Sequence, residues 1–329
     1  MSVTTMTISV VIATYNRAGE LAGCLEQLRR QAFRPGDEVV VADNGSTDDT
    51  PRLLQRVAPG FPVPLRVIRE ARPGKSHAVC AALANCQADV LAFTDDDVLV
   101  DDHWIARIRA IMEREPVDLI AGRVLPRFAA RVPDWLVLGE GNGFGRLASP
   151  LALLDYGNER QALGARTALG ANLAVRRAAF TAAGGYSPVL GKRRGTLLSG
   201  EDHQLCERVQ AAGYRAVYEP SLVGRHLVPA DRLRLGYFTR WFFWSGATHA
   251  ALEAERAVGG IGTARLRGYH AREAVRAAGR LALAALTGGW VTAVEAMTRV
   301  AFSAGYLWWW ARGPAGGAQP AAGGQPEAA

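Results

Sequence analysis

Short apolar runs alternate with amphipathic stretches through residues 1–125 of the chain. The apolar runs are rich in β-branched residues and predict strands at residues 8–14, 38–42, 65–68, 90–94 and 119–124. The stretches between them have helical periodicity and predict helices at residues 18–31, 47–57, 76–86 and 102–114. This alternation is typical of βαβ units, and it predicts a Rossmann-like α/β fold around a mostly parallel sheet.

The second half of the chain is less regular. The alternation is lost over residues 126–166, and a strand-like run follows at 168–175. Glu201 begins a helical pattern with Gly213 after its end, followed by a strand at 215–218. We therefore expect an α/β domain over residues 1–230, with halves at 1–125 and 126–230. A helical extension over 231–312 and a disordered, Gly-, Ala- and Pro-rich tail over 313–329 should follow it.

Polar side chains collect where three of the predicted strands end. The residues concerned are Tyr15, Asn16, Asp43, Asn44, Asp95, Asp96 and Asp97. Ligands of open α/β sheets bind outside the carboxyl ends of the strands, so we expect these side chains on one rim. That rim is the predicted binding site.

Three consecutive carboxylates, Asp95 to Asp97, directly follow the fourth predicted strand. Adjacent carboxylates repel one another, and a bound divalent cation would compensate that repulsion. Hard oxygen ligands favour Mg²⁺ or Mn²⁺, which typically bridge protein carboxylates to substrate phosphates. The alternative interpretation is a solvated acidic turn that caps the next helix.

The other polar motifs each allow two interpretations. Asp43 can accept a hydrogen bond from a nucleobase or belong to a simple turn. Arg72 and Lys75 flank a glycine before a helix, which suits phosphate, although the motif is not a P-loop and a solvated basic loop remains open. Glu201 and Asp202 are candidates for acid and base catalysis or for stabilising a helix N-terminus. His226 is a candidate metal ligand or an ordinary histidine.

Composition and charge narrow the class of protein. Hydrophobic residues make up 49% of the 329 residues and charged residues 21%, which excludes a largely disordered chain. A formal charge of +7 favours phosphate-bearing or anionic lipid partners. The four cysteines form no CxxC pair, so we expect reduced thiols and no zinc site. The N-terminus lacks a basic n-region, and we expect no signal peptide and a cytoplasmic location.

Taken in order, these motifs resemble the family 2 glycosyltransferases with a GT-A fold. The resemblance covers residues 8–246. The matching segments are ISVVIATYNR, VVVADNGSTDDT, ARPGKSHAVCAAL, VLAFTDDDV, ALGANLAVRR with the following GGY, SGEDHQLCERVQAAGYRAVYEP, and GRH.

The resemblance implies a role for each candidate residue. The nucleoside would be held by Thr14, Tyr15, Asn16 and Asp43, with Arg72 and Lys75 near the ribose and diphosphate. Asp95 would face the ribose or the metal, Asp97 would bind the metal directly, and His226 would complete the metal shell. Asp202 would be the general base, with Glu201, Arg240 and Trp241 on the acceptor side.

The resemblance also implies inverting transfer from a nucleotide sugar, expected to be a uridine diphosphate sugar. The acceptor would be a glycan or a lipid-linked sugar in cell-surface glycan assembly, with no nucleic acid partner. Processive synthases of this family carry a Gln-x-x-Arg-Trp motif. Here Arg240 and Trp241 are present but the glutamine is not, which favours the addition of one sugar per encounter. Two alternatives remain: a sugar-phosphate nucleotidylyltransferase, whose GxGTR-type loop is absent, and a non-catalytic nucleotide-sugar-binding or scaffold protein.

The helical end of the chain combines arginines with apolar residues. Residues 265–280 carry five arginines and one glutamate, and Glu295 and Arg299 interrupt the apolar sequence that follows. Tyr306 and Trp308 to Trp310 form an aromatic cluster near its end. This pattern indicates either an interfacial segment attracted to anionic lipid or a helical cap packed on the α/β domain, and we favour the former. The expected location is therefore peripheral, at the cytoplasmic face of the inner membrane.

Overall fold

A computed structural model describes residues 6–139, 145–186, 196–256 and 261–312. The chain forms two compact units, Met1–Tyr237 and Phe238–Ala329. The sequence pattern places the corresponding boundary at residues 230/231. The predicted disordered tail at 313–329 lies outside the described residues.

Among the described residues, the first unit contains one nine-stranded mixed sheet. Its strands are β1 (Ile8–Thr14), β2 (Glu38–Asp43), β3 (Leu65–Arg69), β4 (Val90–Thr94), β5 (Val98–Val100), β6 (Leu119–Phe128), β7 (Gln161–Ala162), β8 (Asn172–Arg176) and β9 (Ala216–Val228). The order is β3-β2-β1-β4-β8-β6-β9-β5, with β7 beside β9. The pairs among β1, β2, β3 and β4 are parallel, as predicted, whereas β8 runs antiparallel to both β4 and β6.

Strands β1, β2 and β4 are buried along nearly their whole length. Val10, Ile12, Val39 and Val41 are fully buried, and so is Ser9, whose hydroxyl donates to Glu38. A parallel sheet covered on both faces needs apolar residues at successive positions, which explains the continuous apolar runs. The four cysteines are free thiols, as expected.

Helices connect these strands close to the predicted positions. They are α1 (Ala18–Arg29), α2 (Thr50–Val57), α3 (Lys75–Ala84), α4 (Trp104–Arg114), α5 (Arg177–Ala182) and α6 (Glu201–Ala211). Helix α2 begins three residues later than predicted at residue 47, because the Thr47 amide donates to the Asn16 side chain at 2.7 Å and the segment remains a loop. Asn16 has a positive φ of 51°, a conformation that asparagine tolerates better than most residues.

Strands β6 and β9 extend well past their predicted ends and position a histidine. The register of their pairing shifts between Gly122 and Arg123, where the buried Asn172 side chain donates to Arg123 O and Leu222 O at 2.8 Å each. Beyond the shift, β9 continues to Val228 and pairs with the short strand β5. In that pairing His226 lies opposite Val98, directly after Asp97. The extension therefore brings His226 to the three carboxylates.

The second unit is helical in its described residues. It contains most of α7 (Leu235–Arg256), with α8 (Ile261–Thr287) and α9 (Trp290–Arg312), and Gly288 and Gly289 separate the last two as the pattern suggested. None of the described helices is long and apolar enough to cross a membrane.

The aromatic cluster at the end of the chain packs inside this helical unit. Tyr306 is fully buried and Trp309 nearly so, both in a cluster with Ala247 and Ala250 of α7. The Tyr306 hydroxyl donates to Glu253 at 2.5 Å. Tyr306 and Trp309 are therefore core residues of the unit, which corrects the expectation that they contact lipid, whereas Trp308 and Trp310 are partly buried and membrane association of the segment remains a prediction.

Candidate active site

A cavity of about 350 Å³ lies at the carboxyl ends of β1, β2 and β4. Six of the sequence-predicted site residues line it: Thr14, Tyr15, Lys75, Asp95, Asp97 and His226. Its size is within the range of small-ligand sites. The rim expected from the strand ends is therefore a real concavity.

Three of the residues predicted to bind the nucleotide, Asn16, Asp43 and Arg72, lie outside that lining. Asn16 and Asp43 both hold the loop before α2, where the Ser46 amide donates to Asp43 Oδ1 at 2.9 Å. The Arg72 guanidinium forms a two-pronged pair with Glu70, at 3.0 Å from Nε to Oε1 and 2.7 Å from Nη2 to Oε2. Hydrogen bonds from Arg72 hold the pKa of Glu70 down, at about 2. Their proposed contacts with the nucleotide remain predictions.

Asp97 is the most heavily paired carboxylate of the cavity. Its Oδ2 lies 2.6 Å from Arg17 Nη1, 3.4 Å from His226 Nε2 and 3.7 Å from Arg232 Nη2. Burial alone would raise the pKa of Asp97, but the hydrogen bond and charge of His226 and the charges of Arg17 and Arg232 hold it well below its usual range. Asp97 is thus an ionised, nearly buried carboxylate.

Asp95 and Asp96 have separate partners. Arg17 Nη1 also lies 2.9 Å from Asp96 Oδ1, and the Thr14 hydroxyl donates to Asp96 Oδ2 at 2.8 Å. Burial, partly offset by Arg17, raises the pKa of Asp96 to about 6. Asp95 pairs with Lys75 at 2.6 Å. The repulsion among the three carboxylates is therefore relieved by side-chain cations of this chain.

Asp97 and the neighbouring His226, whose Nε2 lies 3.4 Å from Asp97 Oδ2, suit a metal ion. Asp97 Oδ1 and His226 Nδ1 are buried with no hydrogen-bond partner among the described residues. His226 Nε2 lies 3.2 Å from Arg232 Nη1 and 3.4 Å from Asp97 Oδ2. A cation held by Asp97 and His226 would take the lone pair of the neutral imidazole and replace the positive charge that a protonated His226 places beside Asp97. Within the described ranges, no cluster of three or more His, Cys, Asp or Glu residues could hold a metal. Asp97 and His226 therefore fit a cation that takes its remaining ligands from substrate and water.

A second, smaller pocket of about 20 Å³ adjoins the cavity at Lys75 and Asp95, which line both. Asp202 lies in it, and its two oxygens accept from the Tyr186 hydroxyl at 2.6 Å and from the Gly170 amide at 2.7 Å. A Cβ on Gly170 would lie 2.9 Å from Asp202 Oδ1, so glycine is needed for this close approach. Asp202 is firmly oriented, and each oxygen keeps a lone pair for a further proton. Glu201 lines the same pocket.

Lys75 connects the two spaces electrostatically. Burial lowers the pKa of Lys75, but the charges of Asp95, Asp202 and Glu201 outweigh burial and raise it. The positively charged Lys75 ammonium therefore lies where the two spaces meet, near Asp95 on one side and Asp202 and Glu201 on the other.

The sequence motifs gave no role to four residues of this site. Arg17 directly follows the Tyr-Asn pair, and Gly170 and Tyr186 lie within matched motifs, so the resemblance covers them without defining what they contact. Arg232 lies six residues after His226 in a short 3₁₀ helix, Ala230–Leu233, and no sequence motif points to it. Arg240 and Trp241 belong to the second unit, and their acceptor-side role remains a prediction.

A family model and the sequences of two relatives match this chain. The family model described as Glycosyl transferase family 2 matches residues 9–181. The succinoglycan biosynthesis protein ExoM of Rhizobium meliloti is 28% identical over 258 residues, covering 78% of each chain. The glucosyl-dolichyl phosphate glucuronosyltransferase of Haloferax volcanii is 25% identical over 260 residues, covering 75% of this chain and 78% of its own.

Solved structures share the fold. A mannosyltransferase from Pyrobaculum calidifontis, in complex with GDP-Man and Mn²⁺, has a TM-score of 0.53 at 22% identity, covering 92% of this chain and 87% of its own. GalNAc-T7 with UDP, GalNAc and Mn²⁺ also has a TM-score of 0.53, at 17% identity, covering 79% of this chain and 53% of its own.

Proposed function

Because this chain belongs to glycosyl transferase family 2 and is a glycosyltransferase with a GT-A fold, we propose that it transfers a hexose-type sugar from a uridine diphosphate sugar. The acceptor is a glycan or a lipid-linked sugar of cell-surface assembly, and the anomeric configuration inverts. The observation that carries this proposal is the junction of the two spaces: Lys75 and Asp95 line both, the large cavity also contains Asp97, and the small pocket also contains Asp202. ExoM is named for succinoglycan biosynthesis, which supports the acceptor class.

Donor binding is proposed to use the cationic side chains that line the large cavity. A nucleoside diphosphate is a polyanion, and Arg232 and Lys75 can donate charge-assisted hydrogen bonds to it. Tyr15 lines the cavity with 37% of its surface exposed, and it offers a ring on which a base can stack. Asp43, at the end of the neighbouring strand, is proposed to accept from the base imide.

Asp97 and His226 would hold a divalent cation against the diphosphate. A cation bound there supplies charge neutralisation of the departing diphosphate oxygens. Two features of Asp97 suit such a cation. Its lowered pKa keeps the carboxylate ionised, and its Oδ1 has no hydrogen-bond partner among the described residues.

The transfer step uses Asp202. The carboxylate removes the proton of the acceptor hydroxyl as that oxygen forms a bond to the anomeric carbon. The bond from the anomeric carbon to the diphosphate breaks, and the diphosphate leaves with its electron pair from the opposite face. Attack opposite the leaving group inverts the configuration. A family model that matches over half of the chain favours this reaction over nucleotidyl transfer and over a scaffold role.

A panel of nucleotide sugars tests the donor assignment. Thermal unfolding should be measured with UDP- and GDP-sugars in the presence of Mn²⁺, and a UDP-sugar should give the largest rise in Tm. Ligand at 100 times its Kd stabilises the folded state by about 2.7 kcal/mol. A rise with GDP-sugars alone would overturn the uridine assignment and leave the reaction class unaffected.

Replacing Arg232 with Gln should weaken donor binding. Loss of charge-assisted hydrogen bonds to the diphosphate should raise the Kd for UDP with Mn²⁺ by about 10- to 100-fold, measured by isothermal titration calorimetry. Arg131→Gln is the matched control, because Arg131 is 87% exposed and pairs only weakly with Asp134 at 3.3 Å. Equal affinities in both variants would exclude Arg232 from the donor site.

A further inference from the structure

Four large apolar side chains are exposed on the ends of α8 and α9 that flank the turn at Gly288 and Gly289. Leu283, Leu286, Trp290 and Val291, here called the apolar tip, are 62%, 85%, 70% and 39% exposed. No charged residue occurs in the sequence from 281 to 294. Isolated exposed apolar residues are ordinary, but a group that includes an exposed tryptophan and two exposed leucines marks an interaction surface.

Packing within the helical unit does not account for the apolar tip. On α8 the buried residues Ala277 and Ala284 lie on the side opposite Leu286. On α8, Leu286 lies about 160° around the helix from Ala284, since successive residues turn by about 100°. The end of α8 is thus apolar on both its packed and its exposed sides, a pattern typical of a helix with a second apolar environment.

Arginines lie behind the apolar tip along α8. Arg272, Arg276 and Arg280 are exposed, and they precede Leu286 by about 9 to 21 Å at a rise of 1.5 Å per residue. Residues 265–280 carry five arginines against Glu273, which pairs with Arg276 at 3.0 Å. The helix therefore presents an uncharged apolar end followed by an excess of positive charge.

We infer that the apolar tip inserts into the interfacial layer of an anionic lipid bilayer while Arg272, Arg276 and Arg280 contact lipid phosphates. Charge complementarity selects this occupant, because the arginines would oppose each other across a contact between two copies of this surface. Tryptophan prefers the membrane interface, and interfacial segments bury apolar side chains to a depth of about 5–10 Å. The inference is independent of the sugar-transfer proposal, and it assigns membrane contact to the apolar tip in place of the buried Tyr306 and Trp309.

Binding of the full-length chain to vesicles tests this inference. Co-sedimentation at low salt should show strong binding to phosphatidylcholine vesicles that contain about one-third phosphatidylglycerol, and weak binding to pure phosphatidylcholine. Leu286→Ser with Trp290→Ser should reduce the partition coefficient on the order of 100-fold, from about tenfold per buried side chain. The matched control is Val137→Ser, which changes an exposed apolar residue of the first unit and should bind like wild type.

The contribution of the arginines to vesicle binding can be measured separately from that of the apolar tip. Changing Arg272, Arg276 and Arg280 to Gln should reduce binding to the anionic vesicles by about fivefold per arginine and remove the difference between the two vesicle types. The control with the same charge change alters the exposed Arg30, Arg52 and Arg131, and it should retain most of the difference.

Two results would overturn the inference. Wild-type binding by the Leu286→Ser, Trp290→Ser variant, with its circular dichroism spectrum unchanged, would exclude the apolar tip. Self-association in sedimentation velocity that this variant abolishes, together with no binding of wild type to anionic vesicles, would assign the surface to a second copy of the chain. Retained UDP affinity in each variant shows that the nucleotide site is intact, whatever the vesicle result.

Discussion

Replacing Asp202 with Asn should lower kcat by about 10²- to 10⁴-fold and leave the affinity for donor and metal nearly unchanged. A sugar hydroxyl is a poor nucleophile, so removal of its proton in the transition state contributes on this scale. Asparagine is close to aspartate in size and can keep both local contacts: its oxygen can accept from the Gly170 amide and its amide can donate to the Tyr186 hydroxyl. The fold and the donor cavity should therefore survive the change, and steady-state kinetics with calorimetry of UDP binding would show the split.

Glu201→Gln is the matched control for Asp202, because the neighbouring carboxylate lines the same pocket at the same end of α6. Neighbouring residues on a helix point about 100° apart, so the two carboxylates cannot easily serve one acceptor oxygen. Glu201→Gln should change kcat far less than Asp202→Asn. A collapse of turnover in Glu201→Gln beside a normal rate in Asp202→Asn would transfer the role to Glu201, and normal rates in both would leave the reaction without its proposed base.

Chelation of divalent cations should abolish turnover, and Asp97→Ala should remove most of the Mn²⁺ binding that UDP supports. Loss of a cation that neutralises the leaving diphosphate costs several kcal/mol, or on the order of 10³-fold in rate. The substitution leaves Arg17, Arg232 and His226 without their shared carboxylate, so the local charge becomes more positive and repels the cation. Free Mn²⁺ can be followed by electron paramagnetic resonance with and without UDP, which gives a readout independent of activity.

The control for Asp97 is Asp134→Asn, at a side chain that is 92% exposed. It should bind Mn²⁺ with UDP like wild type and turn over normally. Full turnover in excess chelator would refute metal dependence. Wild-type Mn²⁺ affinity in Asp97→Ala would refute the assignment of the ligand while leaving metal dependence open to another carboxylate.

The bounds of strands whose limits follow from their own apolar sequence were predicted correctly. Strands β1 and β4 begin and end at the predicted residues, because a buried parallel strand needs an unbroken apolar run and a polar residue ends it. The lengths of β6 and β9 were underestimated, because their outer halves are stabilised by pairing with each other and not by their own apolar pattern. At the register shift between Gly122 and Arg123, the Asn172 side chain bonds both strands, and its partners are about 50 residues away in sequence.

The site shows the same division between local and long-range information. Asp95 to Asp97 follow a strand, so their place at the rim was predictable, but their pairing with Arg17, Lys75 and Arg232 depends on the folded chain. Arg232 approaches Asp97 only through the long strand β9 and the turn after it. In the second unit, composition identified arginines and aromatic residues, whereas only helix packing shows that Tyr306 is core and Trp290 is exposed.

Release of nucleoside diphosphate from a nucleotide sugar is the most direct measure of sugar transfer by this chain. The purified chain should be supplied with Mn²⁺, a UDP-sugar that raises its Tm, and a lipid extract as the source of acceptor, and the released UDP should be quantified. Wild type should release UDP in step with the labelled sugar it transfers to acceptor. The Asp202→Asn variant should bind the donor normally and release UDP at about 10²- to 10⁴-fold lower rate. Undiminished UDP release and sugar transfer by Asp202→Asn would contradict the account of how this chain transfers sugar.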